Sequence, residues 1–417
     1  MNSSPAARRQ ILTAGGVGLA LLAATSALPL NHFSSAGGGG DMILYERYAT
    51  NVVNGLLPYH DFFFEYPPVA IVALIVPKLT GLTYAVAFRG TMLLLLAATL
   101  ALVLLTLGRL HADAARVWGA ALLVGASPLL IGPVLFERFD VWPAFLLSAA
   151  VLLVVAERTA LGATALALAI CAKVYPAVAA PTLLLHAFAT RGRATVLRAA
   201  AAGVGVGALV VIPFAVVGFG GLGFSFYVQF KRPLQIESLG ASVLLAFDRL
   251  GLYTADVQPG LSRDLGGSLP QAIALASTAL QLGAILASVW WFSRGSRSLA
   301  AATTAVAAAV ASFVAFGKVL SPQYVVWLIP LVPLVARPVW AKAMLATAAS
   351  MALTGAYFPR HYGGITHVTS WVWVLLLRNL ALTALAVLLL LELRNQTRRL
   401  RPLPDREAVD HIAAVAD

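Results

Sequence analysis

Long apolar runs alternate along this chain with short polar breaks. "ILTAGGVGLALLAATSALPL" (Ile11–Leu30) and "TMLLLLAATLALVLLTLG" (Thr91–Gly108) reach the ~20 apolar residues that a membrane helix needs. Apolar segments fall near 11–30, 84–107, 116–133, 141–156, 160–189, 199–218, 271–293, 299–316, 322–336, 338–357 and 371–392. In lipid, backbone polar groups must be satisfied within the element, so the pattern predicts an all-α bundle. The period changes over 41–54. There Leu44, Tyr45, Tyr48, Ala49 and Val52 recur at three- and four-residue spacing, with Glu46, Arg47, Asn51 and Asn54 on the other face. That predicts an amphipathic helix lying on the membrane.

The polar breaks sort into two kinds. Segments 108–116, 157–159, 190–198, 294–298 and the end of the chain carry arginine and little else of interest, which places them in the cytoplasm. "ARRQILTAGG" could open a cleaved signal. The apolar stretch behind it is long and further spans follow, so a retained first helix is expected, with Arg8 and Arg9 inside. The loop after that helix is then outside. Arg109 and Arg116 are inside, so 67–107 crosses once, at about 84–107. "PPVAIVALIVPKLTG", which holds Pro77 and Lys78, should dip into the outer leaflet or lie along it. The 160–189 run must cross an even number of times and is split near Tyr175-Pro176. The expectation is one integral-membrane domain over 1–392 with about 12 transmembrane helices and both termini cytoplasmic. Residues 31–83 form its first extracytoplasmic loop, and 393–417 a basic cytoplasmic tail.

Composition agrees. Hydrophobic residues are 60% of the chain, against about 45–50% in soluble domains. The net charge of +12 could suggest nucleic acid. However, Arg394, Arg398, Arg399, Arg401 and Arg406 crowd the tail and others punctuate short loops, so no nucleic-acid partner is expected. A lone Cys171 forms no intrachain disulfide and binds no metal by itself. There is no D-x-D pair, G-x-S-x-G, H-E-x-x-H or Walker loop.

The outer segments collect the unusual polar residues. In a chain only 11% charged, the first loop holds Asp41, Glu46, Asp61 and Glu65. "FERFD" (136–140), "FKRPLQIES" (230–238), "GKVLSPQY" (317–324) and "FPRHYGGITH" (358–367) share that side. Asp41 points to the buried side of the amphipathic helix, as a helix cap or as a reactive carboxylate. Glu65, before Pro67-Pro68, is a solvated loop acid or part of a site. Lys173 lies in an apolar run; it either marks an anionic partner or snorkels to the outer interface. Arg138 and Asp140 flank the mouth of a span, where a local ion pair is the plainer reading. Lys318 and Arg232, beside Lys231, would suit a phosphate in an outer cleft. Arg378 should face the bundle, with no role assigned.

Asp41 followed by "YERYATNVVNGLLPYHDFFFEYPP", with "RFDVWPA", "AKVYPAV", "IES" and "KVLSPQYVVWLIPL", resembles glycosyltransferase family 87 of the GT-C superfamily, over roughly Asp41 to Pro330. This chain has Glu137-Arg138 where many members carry Gly-Gln. The resemblance implies a GT-C-like bundle with outer-face juxtamembrane helices in a bacterial plasma membrane. It implies an inverting transferase that moves a sugar, mannose ahead of arabinose, from a polyprenyl-phosphate donor to a glycolipid or glycan acceptor outside the cell. Asp41 would be the base, since a phosphate leaving group needs no acid. Lys173, Arg138, Lys318 and Arg232 would hold the donor phosphate. Tyr45, Tyr59, Glu65, Tyr66, Asp140, Glu237, Gln323 and His361 would line the sugar or acceptor. No cofactor or metal is expected. The competing class is a transporter or flippase for a lipid-linked or anionic substrate. Transporters often show internal repeats and polar residues at the midplane; here no repeat is seen and the polar residues sit at one face. A non-catalytic lipid-binding scaffold would not need Asp41 and the cations to converge.

Overall fold

The computed structural model describes residues 5–33, 41–259 and 262–399. Residues 34–40 of the first loop and the tail from 400, with Arg401 and Arg406, lie outside the described residues.

Helix α1 (Pro5–Phe33) leads to the first loop, which holds α2 (Asp41–Val53) and α3 (Ala70–Lys78). Helices α4 (Tyr84–Arg109), α5 (Ala114–Ile131), the single turn α6 (Val134–Glu137), α7 (Val141–Val155) and α8 (Thr159–Ala172) follow. Helix α9 (Ala180–Phe230) breaks at Gly192 and kinks at Gly218. Then come α10 (Leu239–Arg249), α11 (Ser268–Arg294), α12 (Leu299–Phe316), α13 (Arg337–Tyr357), the short α14 (Tyr362–Thr366) and α15 (Trp371–Arg399). Seven described elements are long and apolar enough to cross a membrane: α1, α4, α5, Tyr175–Phe230, α11, α12 and α15. The chain is a multi-pass membrane protein. Length and composition do not reach the expected twelve, because the remaining candidates are short or polar-ended. Helices α7 and α8 and the 3-10 stretch Pro322–Leu334 are apolar but short, and α13 carries Arg337 and Lys342 in its first turns.

Lipid gives no hydrophobic drive between helices, so close approach of small residues holds them. A Cβ on Gly125 of α5 would lie 2.8 Å from the Gly18 carbonyl oxygen of α1. The Thr25 hydroxyl donates to the Gly125 carbonyl at 2.7 Å. The 160–189 run breaks where the proline suggested. Helix α8 stops at Ala172, Lys173 is extended, and a 3-10 turn spans Tyr175–Ala179.

The two ends of the bundle differ. One end gathers the arginine-rich turns, with Arg337 against Asp113 and Arg191 against Glu157. The other end gathers α2, α3, α6 and a three-stranded antiparallel sheet. In that sheet β1 (Leu234–Gln235) and β2 (Val257–Pro259) flank β3 (Arg263–Leu265). The sheet is a small departure from an all-α chain. It is built over a second core of Leu234, Ile236, Leu244, Leu265, Tyr357 and Leu375. The first loop presses directly on α9: a Cβ at Gly221 would overlap the Tyr59 carbonyl oxygen.

Candidate active site

Asp41 opens α2, where Tyr45, Tyr48 and Ala49 are buried as their spacing predicted; Leu44 and Val52 are half-buried, and Met42 joins the buried face. The outward Glu46 pairs with Lys78 of α3 at 3.2 Å. Asp41 stands inside the first helical turn, and its carboxylate faces Arg138 Nε at 2.9 Å. Arg138 comes from the extended joint between α6 and α7, where its Nη1 also donates to the Glu137 carbonyl at 3.0 Å. The Glu137 carboxylate is held by Arg89 of α4 at 2.6 Å. Both residues of the Glu137-Arg138 departure are therefore tied into ion pairs.

The expected local pair between Arg138 and Asp140 is not made. Arg138 turns to Asp41, while buried Asp140 accepts from Lys173 Nζ and from Trp327 Nε1, each at 2.7 Å on Oδ1. Lys173 does not snorkel to lipid. Its ammonium sits 4.9 Å from the Phe139 ring centroid, 5.3 Å from that of Trp327 and 5.5 Å from that of Tyr324, a cation–π enclosure. Tyr175 stacks on Trp327 at 3.8 Å. The break after α8 explains this placement: extended backbone at Lys173 aims the side chain at the site end rather than along a helix face.

Arg232 and Lys318 lie close enough for their charges to act on each other. Lys318 Nζ donates to the Phe230 carbonyl at 2.9 Å, and Arg232 Nη2 donates to Ser262 Oγ at 2.7 Å. Among the described residues neither they nor Lys231 makes an ion pair. Burial, then the charges of Arg232 and Lys231, hold the Lys318 ammonium below the usual lysine range. The four expected cations differ in their partners: Arg138 and Lys173 each face a carboxylate within ion-pair distance, while Arg232 and Lys318 are held by a hydroxyl and a backbone carbonyl.

Aromatic rings floor the site. Tyr66 packs edge-on against Phe139 at 4.8 Å and Tyr45 at 6.1 Å. Tyr59 is buried, its hydroxyl donating to the Tyr66 carbonyl and its ring set against Phe64 and Phe214. Glu65 is partly buried rather than a solvated loop acid. Burial raises its pKa above the usual carboxylate range against the hydrogen bond from Tyr66; the Asp41 charge adds, and Arg232 and Lys173 oppose. These groups share one electrostatic neighbourhood.

Glu237, 2% exposed, sits between β1 and α10. Tyr357 donates to its Oε1 at 2.6 Å. Burial pushes its carboxyl up to about 7, opposed by Arg378, the Tyr357 hydrogen bond, Arg138 and Arg232. Gln323 stands at the start of the 3-10 helix, partly exposed. Exposed His361 stacks on Trp371 at 3.9 Å, outside the Asp41 group; its neighbour Tyr362 is the residue that feels Glu237 and Arg232. Sequence reading missed Arg89, Trp327, Tyr357 and Asn379 as partners. Only Arg378, an arginine inside an apolar span, signalled itself. Among the described residues no three His, Cys, Asp or Glu side chains stand together as metal ligands.

A search of curated proteins finds no match. Among solved structures, the chain is similar to that described as "Crystal Structure of ArnT from Cupriavidus metallidurans bound to Undecaprenyl phosphate". Identity is 14% and the TM-score 0.47, covering 91% of this chain and 77% of that one. The model of "Glycosyltransferase family 87" matches residues 63–316, more than half of the chain. The match takes in Glu65, Arg138, Asp140, Lys173, Arg232 and Glu237; Asp41 and Lys318 fall outside it. With these residues gathered at one end of a membrane bundle, the chain belongs to glycosyltransferase family 87 and is a multi-pass membrane glycosyltransferase.

Proposed function

We propose that the chain transfers a sugar from a polyprenyl-phosphate donor to a glycolipid or glycan acceptor, at the extracytoplasmic face of a bacterial plasma membrane. Both termini are cytoplasmic. The observation that carries this reading is the meeting of Asp41 with Arg138, beside Glu65 and the cations Arg232 and Lys173, at one end of the bundle. Asp41 takes the proton of an acceptor hydroxyl. The acceptor oxygen bonds to the anomeric carbon as its bond to phosphate breaks, the electron pair leaving on the phosphate with inversion at carbon. Lys318 and Arg232, which among the described residues make no ion pair, hold that phosphate, and Arg138 and Lys173 complete the positive field. Tyr45, Tyr59, Tyr66, Asp140, Glu65 and Glu237 shape or line the sugar and acceptor side, with Gln323 and His361 towards its rim. Mannose is the first choice of sugar and arabinose the second, on family resemblance. No metal takes part.

The test is Asp41→Asn, assayed with polyprenyl-phosphate mannose and polyprenyl-phosphate arabinose in excess chelator. Transfer should fall by roughly 10²–10⁴-fold, the usual contribution of a general base, with the protein still folded and membrane-inserted. Near-normal turnover by the variant would return Asp41 to a role at the helix terminus. A wild type silent in chelator and restored by a divalent ion would overturn the donor class.

A further inference from the structure

Arg378 and Asn379 lie about two turns into α15, both almost fully buried. A buried arginine in a membrane span is expensive and tends to be kept for function. Neither side chain meets the site's carboxylates directly. Arg378 Nη2 donates to the Glu237 carbonyl at 3.1 Å and to the Tyr357 hydroxyl at 3.0 Å. Asn379 Nδ2 donates to the carbonyls of Glu237 and Ser238, both at 3.2 Å, and to Ser242 Oγ at 2.9 Å. The last helix thus grips the backbone where β1 turns into α10.

That grip continues through Gln235, two residues upstream. The Gln235 amide donates to the Lys318 carbonyl at 2.9 Å, and its side-chain oxygen accepts from the Leu320 amide at 2.9 Å. Its Nε2 reaches Ser321 Oγ at 3.3 Å and Glu237 Oε2 at 3.4 Å. Gln235 also pairs in register with Asp264 of β3, and Asp264 accepts from Ser262, which accepts from Arg232. One continuous set of hydrogen bonds therefore joins α15 to the two loops that carry Lys318 and Arg232. A side chain on a free loop would lose rotamer and backbone entropy on meeting an anion; a braced one has lost it already.

We infer that Arg378 and Asn379, acting through Gln235, are positioning residues that hold Lys318 and Arg232 at the spacing an anionic lipid headgroup requires. This rests on the proposed donor and deepens it, by naming what sets the phosphate subsite. Each variant of the full chain is titrated in detergent micelles with undecaprenyl phosphate and, separately, with neutral undecaprenol. Arg378→Gln and Gln235→Ala should each weaken undecaprenyl phosphate by about tenfold, or ~1.4 kcal/mol, with undecaprenol unchanged. Arg378→Lys, which keeps the charge but not the planar guanidinium fork, should fall between. A brace that matters only for folding would weaken both lipids alike, and one without influence would weaken neither; either result overturns the inference. Should Arg378→Gln fail to fold, Gln235→Ala decides, since it leaves α15 intact. Lys318→Met separates the two proposals. If it leaves undecaprenyl phosphate binding as in the wild type, the phosphate placement itself is wrong. If it weakens that binding while the brace variants do not, only the brace is wrong.

Discussion

Both ends of the bundle carry carboxylate–cation pairs, and they carry them differently. At the arginine-rich end, Asp113–Arg337 has side chains 46% and 58% exposed and Glu157–Arg191 has 71% and 38%. At the site end Glu46–Lys78, between the surface helices α2 and α3, is as open at 48% and 32%, but deeper in, Asp140–Lys173 has 1% and 15%, and Glu137–Arg89 has 17% and 13%. Exposed pairs are worth about 0–1 kcal/mol, whereas burying charge usually costs more than the pairing returns. Stability therefore accounts for the first set and not for the second. The difference teaches that a count of ion pairs says little; where the desolvation is spent says where chemistry happens.

Lys173→Met should break the comparison most visibly. It leaves Asp140 with a buried charge and only Trp327 as partner. Removing one member of a buried pair typically costs about 3–5 kcal/mol, so a large fall in the thermal midpoint of the detergent-solubilised protein is expected. Adding Asp140→Asn should recover much of that loss, because the orphaned charge goes too. An unchanged midpoint in the single variant would mean that this pair behaves like those at the other end.

The sequence made some of this difference legible. The spacing of Tyr45, Tyr48 and Ala49 gave the buried face of α2, and the tandem Tyr175-Pro176 gave the break that frees Lys173. Loops that mix carboxylates and aromatic residues with their cations set one group of polar breaks apart from the plain arginine turns. What no local pattern could give was the pairing. Asp41 with Arg138 spans 97 positions by subtraction of their numbers, and Asp140 with Lys173 joins the two sides of a helix pair. Such partners are set by which helices pack together, so the plainer local pairing of Arg138 with Asp140 is not the one made. Glu237 looked like one loop residue in "IES"; its burial comes from a second core assembled from Tyr357, Val372 and Leu375, all more than a hundred residues away.

Glu237 sharpens the comparison through pH. Its carboxyl stands at about 7 in the folded protein against an ordinary 4.5. As pH rises from 4.5, the unfolded chain loses this proton first, so ionisation favours unfolding. The contribution to stability is full below about 4.5, declines as pH rises to about 7, and is lost above it, by on the order of 3 kcal/mol. Glu237→Gln keeps an acceptor for Tyr357 and cannot ionise. Its thermal midpoint should therefore show a flatter slope over that window than the wild type. A variant with the same slope would show that the buried carboxyl is not the group titrating.

The smallest effects belong to the arginine-rich end, and they separate two roles of one residue. Asp113 faces Arg337 at 3.1 Å and also caps α5, accepting from the Arg116 amide at 3.1 Å. Arg337→Gln removes the exposed pair and the guanidinium's contact with the Trp340 ring at 5.6 Å; the pair's share should cost under about 1 kcal/mol and vanish at high salt as ions screen the charges. Asp113→Ala removes the pair and the cap, and a lost cap costs about 1 kcal/mol by itself. Its loss should therefore exceed that of Arg337→Gln and persist in high salt, because a hydrogen bond to a backbone amide is local where the pair is not. Thermal midpoints of both variants at low and high salt test this. Equal, salt-sensitive losses would mean that the pair outweighs the cap, and that this end depends on its charges more than its exposure implies.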